Sequence, residues 1–344
     1  MSASKKIKFG FCAPIFANPG MLFFRTPAYK KLDWETLRKT VVQCEKLGYD
    51  SVFVADHLFL GTNGDIFECL TTMAALAALT KKIEIAPIHL CNNFRSPGVT
   101  AKVLATVSHI SNGRVILFYD YGWRKAEFDG YGISFGISDK ERIEKMTEGL
   151  RIIRGVLAGK KFSFSGKHYK IKNAICNPKP IKKIPIWMGE ANHPAMITRI
   201  VKYADVFNSM PCSPDAFDKK RILIEAECKK QKRNFKRFRF SLETQILIRK
   251  TEGEIERTLK AYKKLIKYNN SKDKDILTQL EATSPHGADF SSPENLRKEF
   301  LIGTPEAIRE KLDAYKKLGI THFMLWFMDY PSTKGMELFA KEFF

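Results

Sequence analysis

The 344-residue sequence has no apolar run that could cross a bilayer: Met73 to Leu79 and Phe323 to Met328 are its longest, far short of the roughly 20 residues a span requires. The amino-terminal MSASKKIKFGF carries two lysines and then a strand-like alternation, without the apolar helix and small-residue cleavage site of a secretory leader. The cytoplasm is therefore the expected compartment. Cysteine is sparse and scattered. Its seven positions (Cys12, Cys44, Cys69, Cys91, Cys176, Cys212 and Cys228) form no C-x-x-C pair, and no His cluster at ligand spacing joins them. Metal is not expected, and the thiols should be reduced and mostly buried. A Walker loop and an H-E-x-x-H motif are also missing, which argues against nucleotide hydrolysis and zinc proteolysis. Acidic residues are outnumbered, with 37 Asp and Glu against 58 Lys and Arg and a net charge of +21. The densest basic stretch, Lys219 to Arg239, packs ten Lys/Arg against Glu225 and Glu227. No aromatic-interleaved basic motif accompanies it, so it reads as a solvated helix face with some attraction for anionic ligands. Specific nucleic-acid binding is not expected.

Short apolar strands alternate with amphipathic helices from end to end, the pattern of a parallel sheet wrapped by helices. Strands are expected at Ile7–Ile15, Ser51–Ala55, Ile83–Leu90, Arg114–Tyr119, Ile184–Met188, Val206–Asn208, Phe238–Ile248 and His322–Phe327. The first helix starts after Asp33, places Leu37, Val41, Cys44 and Leu47 on one face and ends at Gly48. The fourth shows Ile143, Met146, Leu150, Ile153 and Leu157 at spacings of three and four. Two boundaries echo one another, Lys46-Leu47-Gly48-Tyr49 and Lys317-Leu318-Gly319-Ile320, each a helix closed by glycine and feeding a strand. Eight such units without a Gly/Ser/Pro linker predict one (β/α)₈ TIM barrel over residues 1–344. Lys160 to Pro180 reads as a hairpin-like excursion, and Tyr268 to Pro293, polar and without apolar periodicity, as an insertion or lid-like loop.

Barrel enzymes carry their chemistry on the loops after the strands. After the second strand stands Asp56-His57. A histidine can exchange a proton near neutrality and the adjacent carboxylate could tune it; the alternative is a loop-anchoring pair. After the third strand come Ile88-His89 and Arg95-Ser96-Pro97, where Arg95 is read as pinning the loop. After the fourth comes the aromatic loop Tyr119 to Phe128, with Tyr121, Gly122 and Trp123, whose rings could stack on a flat cofactor or simply close the barrel. After the fifth comes Gly189-Glu190-Ala191-Asn192, a small-residue turn opening a helix and suited to a phosphate.

In order, Gly48-Tyr49-Asp50-Ser51-Val52-Phe53-Val54, Asp56-His57-Leu58, Arg95-Ser96-Pro97, Ser111-Asn112-Gly113-Arg114, Gly122-Trp123 with Glu127, and Pro178-Lys179-Pro180 resemble the luciferase-like monooxygenase family. So do Gly303-Thr304-Pro305-Glu306 and Gly335-Met336-Glu337-Leu338-Phe339 near the end. The resemblance covers nearly the whole chain. It implies a (β/α)₈ barrel, often a homodimer, that uses coenzyme F420, a deazaflavin, for hydride transfer to or from a small organic substrate. The alternatives are an FMN-dependent monooxygenase and a non-catalytic flavin-binding relative. Asp56 and His57 would border the reactive ring, with His57 handling a proton. Ile88-His89 would form a non-prolyl cis peptide behind the ring, Tyr121, Gly122 and Trp123 would lie beside it, and Gly189, Glu190, Ala191 and Asn192 would hold the phosphate. A dimer face is expected from Met73, Leu76, Val103 and Val107.

The chain also departs from the family. The strand-four run G-x-G-x-G-W of relatives reads Phe118-Tyr119-Asp120-Tyr121-Gly122-Trp123, Ala86-Pro87 replaces a usual Gly-Thr, and Gly189-Glu190 a usual Gly-Gly. Bulky side chains near the ring could narrow the pocket, and an acid near a phosphate costs affinity.

Overall fold

A computed structural model describes residues 6–17, 26–60, 64–189, 194–269 and 293–344. Eight parallel strands and their crossover helices follow the sequence pattern closely, and local chemistry sets their ends. Helix α1 (Trp34–Leu47) opens where the Asp33 carboxylate accepts the Thr36 N–H at 2.7 Å. It closes at Gly48, whose φ of 97° is left-handed and costs glycine nothing. Leu37, Val41 and Cys44 are buried on one face, as the spacing requires, and Leu47 is half-buried.

The sheet runs, in spatial order, β3 (Glu84–Ile88), β2 (Ser51–Ala55), β1 (Lys8–Ala13), β12 (Ile320–Phe327), β10 (Arg239–Ile248), β9 (Val206–Ser209), β8 (Ile186–Gly189), β5 (Leu117–Asp120) and β4 (Leu90–Cys91). It closes on itself because β4 continues the path of β3. Ile85 N–H donates to Arg114 O and Ile116 N–H to Ile85 O, both at 2.9 Å, while Leu90 and Cys91 pair with Tyr119 and Asp120. The expected third strand is thus two strands, β3 and β4, meeting at His89. The excursion Lys160–Pro180 contains the antiparallel hairpin β6 (Phe162–Ser165) and β7 (Lys170–Ala174). Elements not expected include the short helix α4 (Lys125–Gly130) and strand β11 (Leu301–Gly303), which pairs with β10. The expected insertion 268–293 falls outside the described residues except at its ends.

Between β2 and β10 the crossover helices are α2 (Cys69–Leu79), α3 (Pro97–Ile110), α5 (Asp139–Leu157), α6 (Pro194–Tyr203) and α7 (Pro214–Lys230). Beyond β10 lie α8 (Glu252–Asn269), α9 (Pro293–Glu299), α10 (Pro305–Lys317) and α11 (Lys334–Phe343). Met73, Leu76 and Val107 are fully buried and Val103 packs partly against the same core, so these residues hold α2 and α3 to the barrel instead of facing outward. The large apolar side chains those helices leave exposed are Leu79, Val99 and Ile110. All seven cysteines are buried. No helix among the described residues is long and apolar enough to cross a membrane.

Inside the barrel, Trp187 meets Phe53, Phe118 and His322 at ring separations of 5.6, 6.0 and 4.9 Å. This aromatic layer fills the interior, as in other barrels of this size. His322 is bonded to Ser51 Oγ at 2.7 Å and is driven to a pKa of about 3 by burial, with Lys8 and Arg239 adding repulsion. It is a neutral core histidine.

Candidate active site

Above that layer, at the C-terminal ends of β2, β3 and β5, the partly open side chains of His57, His89, Asp120 and Trp123 gather. The carboxylate on His57 is not its neighbour Asp56 but Glu127 of α4, almost fully buried, whose Oε2 lies 2.8 Å from His57 Nδ1. Glu127 Oε1 accepts the Leu58 and Phe59 N–H groups at 2.7 and 3.2 Å. A carboxylate acting as acceptor places the hydrogen on Nδ1, leaving Nε2 as the nitrogen that can receive a proton. Trp123 sets its ring 5.5 Å from the imidazole, edge to face.

Asp56 has a different task. Its carboxylate accepts both ends of the Arg95 guanidinium, at 2.7 and 2.8 Å, and the Cys91 N–H at 2.8 Å, while Arg95 also reaches Glu68 at 2.6 Å. The loop-anchoring reading of Asp56 and the loop-pinning reading of Arg95 describe one buried ion pair that ties the β2 loop to β4.

The Ile88–His89 peptide is cis, as the resemblance implies. The His89 ring lies 4.1 Å from that of Phe118 in an edge-on arrangement. Both rings crowd Gly189, where a Cβ would stand 3.2 Å from each, so glycine there makes room for His89. Gly122 has φ +77°, and a Cβ there would lie 2.5 Å from Cys91 Sγ, so two constraints select it. Tyr121 is buried, with the Arg142 guanidinium 5.6 Å over its ring and its carbonyl accepting from Asn93, so its side chain packs under the loop. Glu190, Ala191 and Asn192 lie outside the described residues.

Sequence reasoning treated Asp120 only as bulk at a glycine position. Its Oδ1 accepts the following Tyr121 N–H at 2.6 Å and its Oδ2 lies 3.9 Å from His89 Nδ1. Burial pushes this carboxyl up to about 6, against the opposing Tyr121 N–H and the charges of His57 and Arg142. Only a polar residue whose position on the strand faces the barrel interior can act in this way, and the alternation along β5 places Phe118 and Asp120 on that side together. One further pattern, G-I-S-F-G at Gly132–Gly136, runs between helices α4 and α5 and not from strand to helix, so Ser134 sits on no nucleophile elbow.

A (β/α)₈ barrel with a carboxylate-held histidine at its C-terminal mouth is an enzyme scaffold with a proton-transfer group in place. The sequence pattern of the luciferase-like monooxygenase family matches residues 8–322, and the chain belongs to that family. An F420-dependent glucose-6-phosphate dehydrogenase of Microbacterium testaceum (strain StLB037) is 33% identical over 160 residues, 45% of this chain and 46% of that protein. The match therefore spans less than half the length of that relative. An FMNH(2)-dependent dimethylsulfone monooxygenase of Pseudomonas putida is 25% identical over 95% of this chain and 92% of its own. Among solved structures, an F420-dependent secondary alcohol dehydrogenase in complex with an F420-acetone adduct superposes with a TM-score of 0.75 over 98% of both chains at 18% identity, a likeness of fold.

Proposed function

We propose that the protein is an oxidoreductase that moves hydride between the deazaflavin F420 and a small organic substrate at the barrel mouth. The observation that carries this reading is the His57–Glu127 pair beside the cis Ile88–His89 peptide. The described residues fit a flat heterocycle: the aromatic layer closes the barrel below, and His57, His89, Trp123 and Asp120 keep polar or aromatic edges open above it. Ile88 and His89 would lie behind the ring, Gly122 and Trp123 beside it, and the turn beginning at Gly189 would hold the phosphate.

When bound, the cofactor supplies the hydride chemistry. The chain supplies orientation and the proton. His57 takes or gives a proton at Nε2, and Glu127 fixes the ring's tautomer and angle. The Asp56–Arg95 pair holds the loop that presents it. Asp120, on the same mouth, adds a second group that can change protonation near neutrality.

The near full-length match to an FMNH(2)-dependent monooxygenase supports a second reading, in which reduced FMN and oxygen do the chemistry and His57 serves the same proton. Titrating the protein with F420 and with FMN, oxidised and reduced, by absorbance and fluorescence separates the two. Saturable binding of one assigns the reaction class. Binding of neither would mean that Phe118 and Asp120 have closed the site, leaving a family member by fold only. With the cofactor identified, His57→Ala should lower turnover about 100-fold or more with little change in thermal midpoint; an unchanged rate removes His57 from the mechanism. A homodimer through α2 and α3 is part of the proposal, supported by exposed Leu79, Val99 and Ile110.

A further inference from the structure

Two strands round the barrel from β2, a groove opens beside the C-terminal ends of β12 and β10 and runs along the seam between α8 and α11. Its volume is about 850 Å³, within the range of small-molecule sites. Each wall is anchored by its own apolar contacts. Helix α8 is docked through Ile255 and Leu259 into a second apolar cluster with Leu247, Phe300 and Met328, and α11 is docked through Met336, Phe339 and Ala340 into the main core.

The lining is cationic: Arg249, Lys250, Arg257, Lys334 and Lys341 stand against Glu254 and Glu337. Both acids are engaged locally. Glu254 accepts the Thr251 N–H, and Glu337 accepts from the Thr333 hydroxyl and the Gln43 amide. Arg249 is held by Asp329 at 3.1 Å, whose carboxylate also takes the Gly335 N–H. The other four cations have no ion pair among the described residues. Unpaired cations are common on this basic chain; what sets these apart is that they converge with Arg249 on one concavity. Like charges converging on one concavity repel one another, and a multiply charged anion relieves that repulsion, most strongly where low-dielectric walls focus the field.

We infer that this groove is a binding site for a small phosphorylated ligand carrying two or more negative charges, separate from the mouth. Loops after the seventh and eighth barrel strands commonly receive phosphate groups, and here those loops contribute Lys250 and Lys334. Arg257 adds a planar fork that suits phosphate oxygens, and Lys341 a point charge further along the seam. The site stands apart from the turn at Gly189, which follows β8. The inference therefore holds whichever cofactor the mouth takes.

The test is calorimetric titration of the full chain with inorganic pyrophosphate at about 0.1 M salt. The Arg257→Glu/Lys341→Glu pair is compared with Lys170→Glu/Lys172→Glu on the exposed hairpin, which changes net charge equally. Saturable one-to-one binding is expected, weakened about tenfold or more by the groove pair and less than about threefold by the hairpin pair. Both variants should keep the wild-type thermal midpoint, since all four residues are exposed. Absence of saturable binding, wild-type affinity in the groove pair, or equal weakening by both pairs would overturn the assignment.

Discussion

Replacing Asp120 with asparagine should make the protein more stable at neutral pH. The Asp120 carboxyl is raised from 3.8 to about 6 chiefly because burial at the mouth penalises its charge. A folded pKa above the unfolded one means that the native state binds the proton more tightly, so stability falls as pH rises through that window. At 1.36 kcal/mol per unit the full cost is roughly 3 kcal/mol above pH 7, with about half already present near pH 5. The side chain is 22% open to the mouth, so some of this is relieved by solvent. Asparagine keeps the acceptor for the Tyr121 N–H and cannot ionise. Urea unfolding followed by tryptophan fluorescence should show Asp120→Asn more stable than wild type by about 1–3 kcal/mol at pH 7.5, with the gap narrowing by pH 5. A variant equal to or weaker than wild type at pH 7.5, or a gap that does not change with pH, would refute the argument. In that case Asp120 would be charged without cost, and its place as a titrating group at the mouth would fall with it.

Asp56→Ala leaves Arg95 without its bidentate partner and should cost about 3–5 kcal/mol in chemical unfolding; a loss below about 1 kcal/mol would mean that Glu68 alone suffices. Gly122→Ala combines a left-handed backbone with a Cβ 2.5 Å from Cys91 Sγ. A loss of about 1–3 kcal/mol is expected, read as a lowered thermal midpoint, and a neutral result would show that the loop moves freely.

Much of the architecture was legible in the residues. The repeated strand, helix and glycine boundary specifies eight βα units because periodicities of 2 and 3.6 are imposed locally, and the Asp33 and Gly48 ends of α1 lie where the cap residues stand. The cis peptide at Ile88–His89 came from family resemblance alone; nothing in residue type or spacing marks it. What stayed hidden were pairings between distant residues. Asp56 lies next to His57 in the chain, yet its partner is Arg95, 39 residues away, while the carboxylate that orients His57 comes from Glu127, 70 residues away. Met73 and Leu76 looked like an outward apolar face because a helix of small and apolar residues has little amphipathic contrast to say which side meets the barrel.

The sequence by itself determined the barrel, its family and the strand ends on which polar residues had to be sought. Those follow from local periodicity and from motifs in order along the chain. Only the tertiary structure decided which carboxylate serves His57, that Asp120 faces the same mouth, and that Lys250, Arg257, Lys334 and Lys341 line one groove. The first two depend on closure of the sheet, which brings residues far apart in the chain within a few ångströms of one another and withdraws them from water, where partner distance and desolvation set what a charge can do; the groove depends on β10 and β12 lying side by side.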